Sequence, residues 1–184
     1  MIVLDGVNIR LEEVEPKHFQ DIIAWRNDPK LNEYLNQPFK LTLEMQERWY
    51  QDYLADETQT LFVLYNKVKS NYAGTYGITN YNSTKRQLVT GRLIVADNSL
   101  RGLLYEMEVV FSDYLYQRAD TFYSHIMEAN TKALRWNEAM GYRPNTGAAV
   151  FPELLEIRPE PMVESLRTRE DYLKIRPKLA RFIR

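Results

Sequence analysis

A chain of 184 residues, 45% hydrophobic and 27% charged, has the length of one domain with a sizeable core and the composition of an ordinary soluble protein. Its formal net charge of −1 gives no overall attraction to nucleic acid or to an anionic membrane, so neither is expected as a partner. The absence of cysteine excludes disulfides, thiolate-bound zinc and a covalent cysteine intermediate. Residues 1–14 contain neither a basic start nor a long apolar run, so no signal peptide or membrane span is expected and the protein reads as cytoplasmic.

In chain order, Ile2–Leu4 and residues 8–12 flank Asp5-Gly6, a hairpin signal. Pro16 suits the first turn of a helix whose buried stripe is Phe19, Ile22 and Ile23, and which ends near Asn27-Asp28-Pro29 because a residue before proline resists the α conformation. Residues 29–40, with Asn32, Tyr34, Asn36, Gln37 and Phe39, read as an irregular recognition loop. Thr42 caps a second helix through Met45, Trp49 and Tyr53 to Leu54. Residues 60–65 and 72–81 are strand-like and feed, through a polar turn, a third strand at 88–96. The 13 tyrosines are many for this length; they read first as amphipathic cover for the core, and second as walls of a pocket.

The segment 88–142 organises the chain. After the strand at 88–96, any of Asp97, Asn98 and Ser99 could cap a helix whose apolar face is Leu100, Leu103, Leu104, Met107, Phe111, Tyr114 and Leu115. A strand at 121–127 and a helix at 130–140, stopped by Gly141, follow. This βαβ unit places a helix N-terminus, with its free amide groups, at the end of a parallel strand, where anions such as pyrophosphate bind. Beyond Tyr142, residues 143–149 read as loop, 150–163 as a short proline-broken stretch, and 164–184 as a helix. That helix carries Arg167, Arg169, Lys174, Arg176, Lys178, Arg181 and Arg184 on a solvated basic face, or as an arm for an acidic partner.

The element order over about the first 145 residues resembles the GCN5-related N-acetyltransferases. So do Trp25-Arg26-Asn27-Asp28-Pro29, similar to the branch acetylating ribosomal-protein N-termini or amino-sugar nucleotides, Arg101-Gly102 at the acetyl-CoA loop, and Asn130, Ala133, Gly141 and Tyr142 near the acyl site. The resemblance implies an α/β mixed sheet, an antiparallel meander followed by the βαβ unit, in a domain of residues 1–145. A C-terminal helical extension, 146–184, would pack on it. It implies acetyl-CoA between the strands 88–96 and 121–127, paired with backbone at Ile94, Val95 and Ala96. The pyrophosphate would rest on amides of Arg101, Gly102, Leu103 and Leu104, with Asn130 and Asn137 also lining the site. Trp25, Arg26, Asn27, Tyr34 and Tyr76 would face the acceptor.

Three positions depart from the family pattern. Leu104 and Glu106 stand where small residues let phosphate approach the backbone, and Glu106 would set a carboxylate beside it. Asn137 stands where many relatives carry a proton-donating tyrosine; Tyr105, Tyr123 and Tyr142 are the substitutes. Candidates for the base are Glu108, Glu128 and His125, with Glu128 best placed at a strand's C-terminal end. A lone histidine on an apolar strand is ordinarily a satisfied core residue. The motifs of P-loop, serine-hydrolase, zinc-protease and dinucleotide chemistry are missing, and no metal site is expected.

The leading reading is transfer of an acetyl group from acetyl-CoA to a primary amine, an amino-sugar nucleotide or a protein N-terminus, directly in a ternary complex. Expected partners are a small-molecule or peptide amine and a second copy of the chain as a homodimer. A binding module that has lost catalysis is the alternative, followed by a transferase using another acyl-CoA.

Overall fold

The computed structural model describes residues 1–35, 37, 39–97, 100 and 102–183. Asn36, Asn98, Ser99, Arg101 and Arg184, named above, lie outside them. The elements are β1 (Val3–Asp5), β2 (Ile9–Glu13), α1 (Phe19–Asn27), α2 (Pro29–Asn32), α3 (Leu43–Ala55), β3 (Thr60–Asn66), β4 (Asn71–Asn82) and β5 (Gln87–Val95). They continue as α4 (Leu104–Leu115), β6 (Thr121–Met127), α5 (Thr131–Ala139), β7 (Arg143–Pro144), α6 (Pro152–Leu155), β8 (Met162–Thr168) and α7 (Arg169–Ala180).

Among the described residues the strands form one eight-stranded sheet in the order β1-β2-β3-β4-β5-β6-β8-β7. All pairs are antiparallel except β5 with β6, the pair that the βαβ crossover through α4 makes parallel. The central β3 is buried on both faces, which explains its unbroken apolar run. Phe62 and Leu64 join Ile9, Leu11, Leu88 and Phe122 in a core with Met107, Phe111 and Leu115 of α4 and Tyr172 and Leu179 of α7. Leu61 and Val63 pack on the other face against Phe19, Ile22 and Tyr53 of α1 and α3. Among the described residues no helix is long and apolar enough to cross a membrane.

The expected caps are present: Thr42 accepts from Met45 N at 3.3 Å, and Gly141, at φ +82°, takes the left-handed conformation that ends α5. Within the loop expected at 29–40, Asp28 caps the short helix α2, accepting from Lys30 N at 2.9 Å. A larger correction concerns residues 164–184, expected as a helix. Met162–Thr168 is instead strand β8, inserted between β6 and β7 and paired with β6 along its whole length, and the helix begins only at Arg169. The strand pattern is masked because two of its buried positions, Glu164 and Arg167, are charged. Each is buried against a specific partner, which composition does not show.

Candidate active site at the splayed strands

β5 and β6 pair only at Gln87–Thr121, Leu88–Phe122 and Val89–Tyr123. Beyond that point the strands part. β6 keeps β8 on its far edge as far as Met127, and β5 keeps β4 on its far edge as far as Val95, with Ala96 N bonding Ala73 O at 2.9 Å. The facing edges of the two strands are therefore left without a partner strand, a wedge with backbone donors and acceptors on both walls. Two features open it. Thr90, the first residue past the last pair, turns its hydroxyl to Tyr123 O at 3.2 Å, and a bulge opposite Thr75 and Gly77 puts Arg92 at φ +55°. A left-handed non-glycine residue costs on the order of 1–3 kcal/mol, so the surrounding contacts must hold it; one of them is Thr75 Oγ1 donating to Arg92 O at 2.7 Å.

At the open end of β5 the chain turns through Leu100 into α4. Leu103 N donates to Leu100 O at 2.7 Å, and Met107 N to Leu103 O at 2.9 Å. The amides of Leu104, Tyr105 and Glu106 in the first turn lack intrahelical acceptors by the geometry of a helix start. A side chain at Gly102 would meet nothing within 4 Å, so this approach is open. Glu106 does not face it. Its carboxylate accepts from Asn8 N at 2.9 Å and Asn8 Nδ2 at 3.1 Å, buried against the β1–β2 turn, where a Cβ at Gly6 would collide with it. The repulsion expected from Glu106 is thus corrected: the carboxylate is spent on the hairpin. Leu104 packs against the core under the sheet.

At the base of the wedge lies a buried polar network. Tyr142 OH and Thr90 Oγ1 are 2.8 Å apart; Tyr76 OH donates to Glu108 Oε2 at 3.3 Å. Glu108 is paired with Arg167 Nη1 at 2.8 Å and accepts from Ser112 Oγ at 2.8 Å, while Arg167 also donates to Ser112 Oγ, Tyr116 OH and Met140 O. The rings of Tyr142, Tyr172, Phe122 and Tyr116 surround its guanidinium at 4.6 to 5.6 Å. Burial pushes Tyr142 up to about 12, with Arg167 pulling the other way, and pushes Tyr76 well above its ordinary value. Glu108, a candidate base, is committed to this network, and Tyr76 is a core residue stacked on Phe111 at 4.1 Å.

On the opposite face, His125 Nε2 lies 2.9 Å from Glu164 Oε2. Glu164 also accepts from Asn145 Nδ2, Val150 N and Phe151 N, so these bonds hold it below its ordinary value although burial acts the other way. Burial lowers His125, against the pull of Glu164, and its Nδ1 is buried without a partner among the described residues. Neutral His125 with its proton toward the carboxylate is a satisfied pair on one side and a bare acceptor on the other.

The other sequence candidates fall into place as follows. Glu128 is exposed just past β6, its amide held by Pro161 O at 3.0 Å. Asn130 caps α5, accepting from Ala133 N at 3.1 Å, and the Asn137 Nδ2 donor is buried with no partner among the described residues. Tyr105 is stacked on Phe182 at 4.4 Å and leans on Trp136. Trp25 packs in the second core, and Tyr34 is exposed. Asn27 is structural: its amide clamps Leu41 through two bonds of 2.8 Å, from Asn27 Nδ2 to Leu41 O and from Leu41 N to Asn27 Oδ1. Arg26 bonds Gln37 Oε1 through Nε at 2.5 Å, not Asp28. Arg92, Glu164 and Arg167 lie in no sequence motif that marks a site; a charged residue inside a strand is the one signal they carry.

A hollow of about 500 Å³ lined by Pro16, Phe19, Glu44 and Tyr50 lies on the outer side of α3, among none of these residues.

A family model described as Acetyltransferase (GNAT) domain matches residues 8–143. Comparison with curated protein sequences finds no match. Among solved structures, the chain is similar to apo FdhC, a nucleotide-linked sugar GNAT, at 16% identity and TM-score 0.80, covering 100% of this chain and 99% of that one. It is similar to a GCN5-related N-acetyltransferase from Brucella melitensis at 14% identity and TM-score 0.81, covering 100% and 86%. It is also similar to a spermidine N-acetyltransferase from Vibrio cholerae, in complex with CoA and spermine, at 18% identity and TM-score 0.75, covering 90% and 98%. With the family model spanning both walls of the wedge and the helix start beyond it, the chain belongs to the GNAT family of acetyltransferases.

Proposed function

We propose that the protein moves an acetyl group from acetyl-CoA to a primary amine by direct transfer in a ternary complex. The observation that carries this reading is the parting of β5 and β6 after Val89 and Tyr123, with the first turn of α4 at the open end. The residues present fit acetyl-CoA. The free edge of β5 at Ile94, Val95 and Ala96 would pair with the amide groups of its pantetheine arm, and the amides of Gly102 and Leu104 would hold its pyrophosphate, the expected Leu103 amide being taken by Leu100 O. Glu106 has turned away, so no carboxylate of α4's first turn opposes the phosphates. The buried Asn137 Nδ2 supplies a donor for the acyl end of the site. When bound, acetyl-CoA supplies the activated acetyl group as a thioester.

Residues of this chain then bind, orient and move a proton. Glu128, exposed at the end of β6, takes the proton of the attacking amine. Tyr142, raised to about 12 by burial, stays protonated at neutral pH and serves as a hydrogen-bond donor at the wedge base. Tyr105 shapes the wall through its stack with Phe182. The acceptor is an amino-sugar nucleotide or a protein N-terminus; two structural relatives, one a nucleotide-linked sugar enzyme and one a spermidine enzyme, share this fold with different amines. Initial-rate kinetics of thiol release, varying acetyl-CoA and the amine together, test the ternary complex. Intersecting double-reciprocal lines are expected; parallel lines would contradict direct transfer.

A further inference from the structure

Arg92 sits on the stretch of β5 that has left β6, and Arg26 on the last turn of α1. Both are half-buried on the face covered by α1 and α3: Arg92 Nη1 donates to Gln59 Oε1 at 2.8 Å and its guanidinium lies 5.9 Å from the Trp49 ring, while Arg26 Nε donates to Gln37 Oε1 at 2.5 Å. Burial lowers both guanidiniums, and the charge of Arg26 lowers Arg92 further. Arg10, Arg86, Arg167 and Arg176 each hold a carboxylate, whereas among the described residues neither Arg26 nor Arg92 has one at ion-pair distance. The nearby Asp56 is engaged by Thr58 and by Gln59 Nε2 at 2.7 Å; its charge partly offsets the effect of burial on Arg92, but it makes no ion pair with it.

Two partly desolvated like charges with amide partners are unfavourable unless an anion completes them. Gln59 and Gln37 fix the two planar forks without neutralising them, and such forks match the oxygens of a phosphate group. The left-handed backbone at Arg92 is a further sign that this side chain is held in position against a local cost. The first turn of α4, which would serve the pyrophosphate of the acyl donor, begins only at the far end of β5.

We infer that Arg26 and Arg92 together read a phosphate group on the acceptor, which makes the substrate a phosphate-bearing amine and not a polycation. The inference rests on the acetyl-transfer reading above. The test titrates matched pairs, glucosamine 6-phosphate against glucosamine and UDP against uridine, into the CoA-saturated protein by calorimetry, with spermidine as the opposite charge. The phosphorylated member of at least one pair binds tenfold or more tighter than its neutral partner. Arg26→Gln or Arg92→Gln each removes that preference while CoA affinity stays within about threefold, and Arg92→Lys restores part of it. Equal affinities within both pairs, tighter binding of spermidine, or a preference surviving both substitutions would overturn the inference; thermal unfolding of each variant separates loss of fold from loss of charge. If CoA itself does not bind, the acetyl-transfer reading fails separately, and the same pairs titrated into the free protein still decide whether the arginines read phosphate.

Discussion

Burying a guanidinium and a carboxylate costs several kcal/mol per ion, and Arg167 and Glu108, both fully buried, offset it through their own pairing and through Ser112, Tyr116, Tyr76 and Met140 O. Removing one partner strands the other, so Arg167→Met is expected to cost about 3–5 kcal/mol in urea unfolding. A loss below about 1 kcal/mol would show that the pair is not buried as described. Glu12 contributes to the loss of stability in acid. Burial alone would raise its carboxyl, but Lys17, Arg10 and Tyr72 together hold it at about 2, below its ordinary 4.5. Its contribution is therefore complete above about pH 4.5 and is lost as pH falls toward 2. Urea midpoints measured over that window should fall less steeply for Glu12→Gln than for the unsubstituted protein; equal slopes would contradict the assignment.

Elements carried by periodicity are legible in the sequence, and those carried by a buried charge are not. The stripe Met107, Phe111 and Leu115 identifies α4, and the run Thr121–Met127 coincides with β6 because branched and aromatic residues fill a two-sided position. β8 escapes because Arg167 and Glu164 read as surface residues until their partners on α4, on β6 and in the loop after β7 are known. The site is half legible for the same reason. The end of β5 and the start of α4 follow from local signals, but the direction of Glu106 is a tertiary fact set by Asn8, far away in the chain. Glu106→Ala should destabilise the protein by about 1–3 kcal/mol, by removing the two hydrogen bonds that the buried Glu106 carboxylate accepts from Asn8, while acetyl-CoA affinity is unchanged. A marked gain in affinity would mean that the carboxylate does oppose the phosphates. Asn130, read from sequence as a cofactor contact, supplies the cap of α5, so Asn130→Ala should cost about 1 kcal/mol and Asn130→Asp much less, measured by thermal unfolding.

For the molecule as a whole, the residues after 145 complete the fold through two elements: β8 bridges β6 and β7, and α7 brings Tyr172 and Leu179 into the main core. A chain ending at residue 145 would leave an open β6 edge and Glu108 without its cation. It is expected to be unfolded by circular dichroism, and a cooperative melt would contradict that. We propose that the wedge between β5 and β6 takes an acyl-CoA. The most direct measurement is the calorimetric titration of acetyl-CoA into the intact protein, with a thermal shift in parallel. Micromolar binding is expected, with a stabilisation of about 2.7 kcal/mol at a hundredfold excess over the dissociation constant; no heat and no shift at millimolar acetyl-CoA would contradict the account.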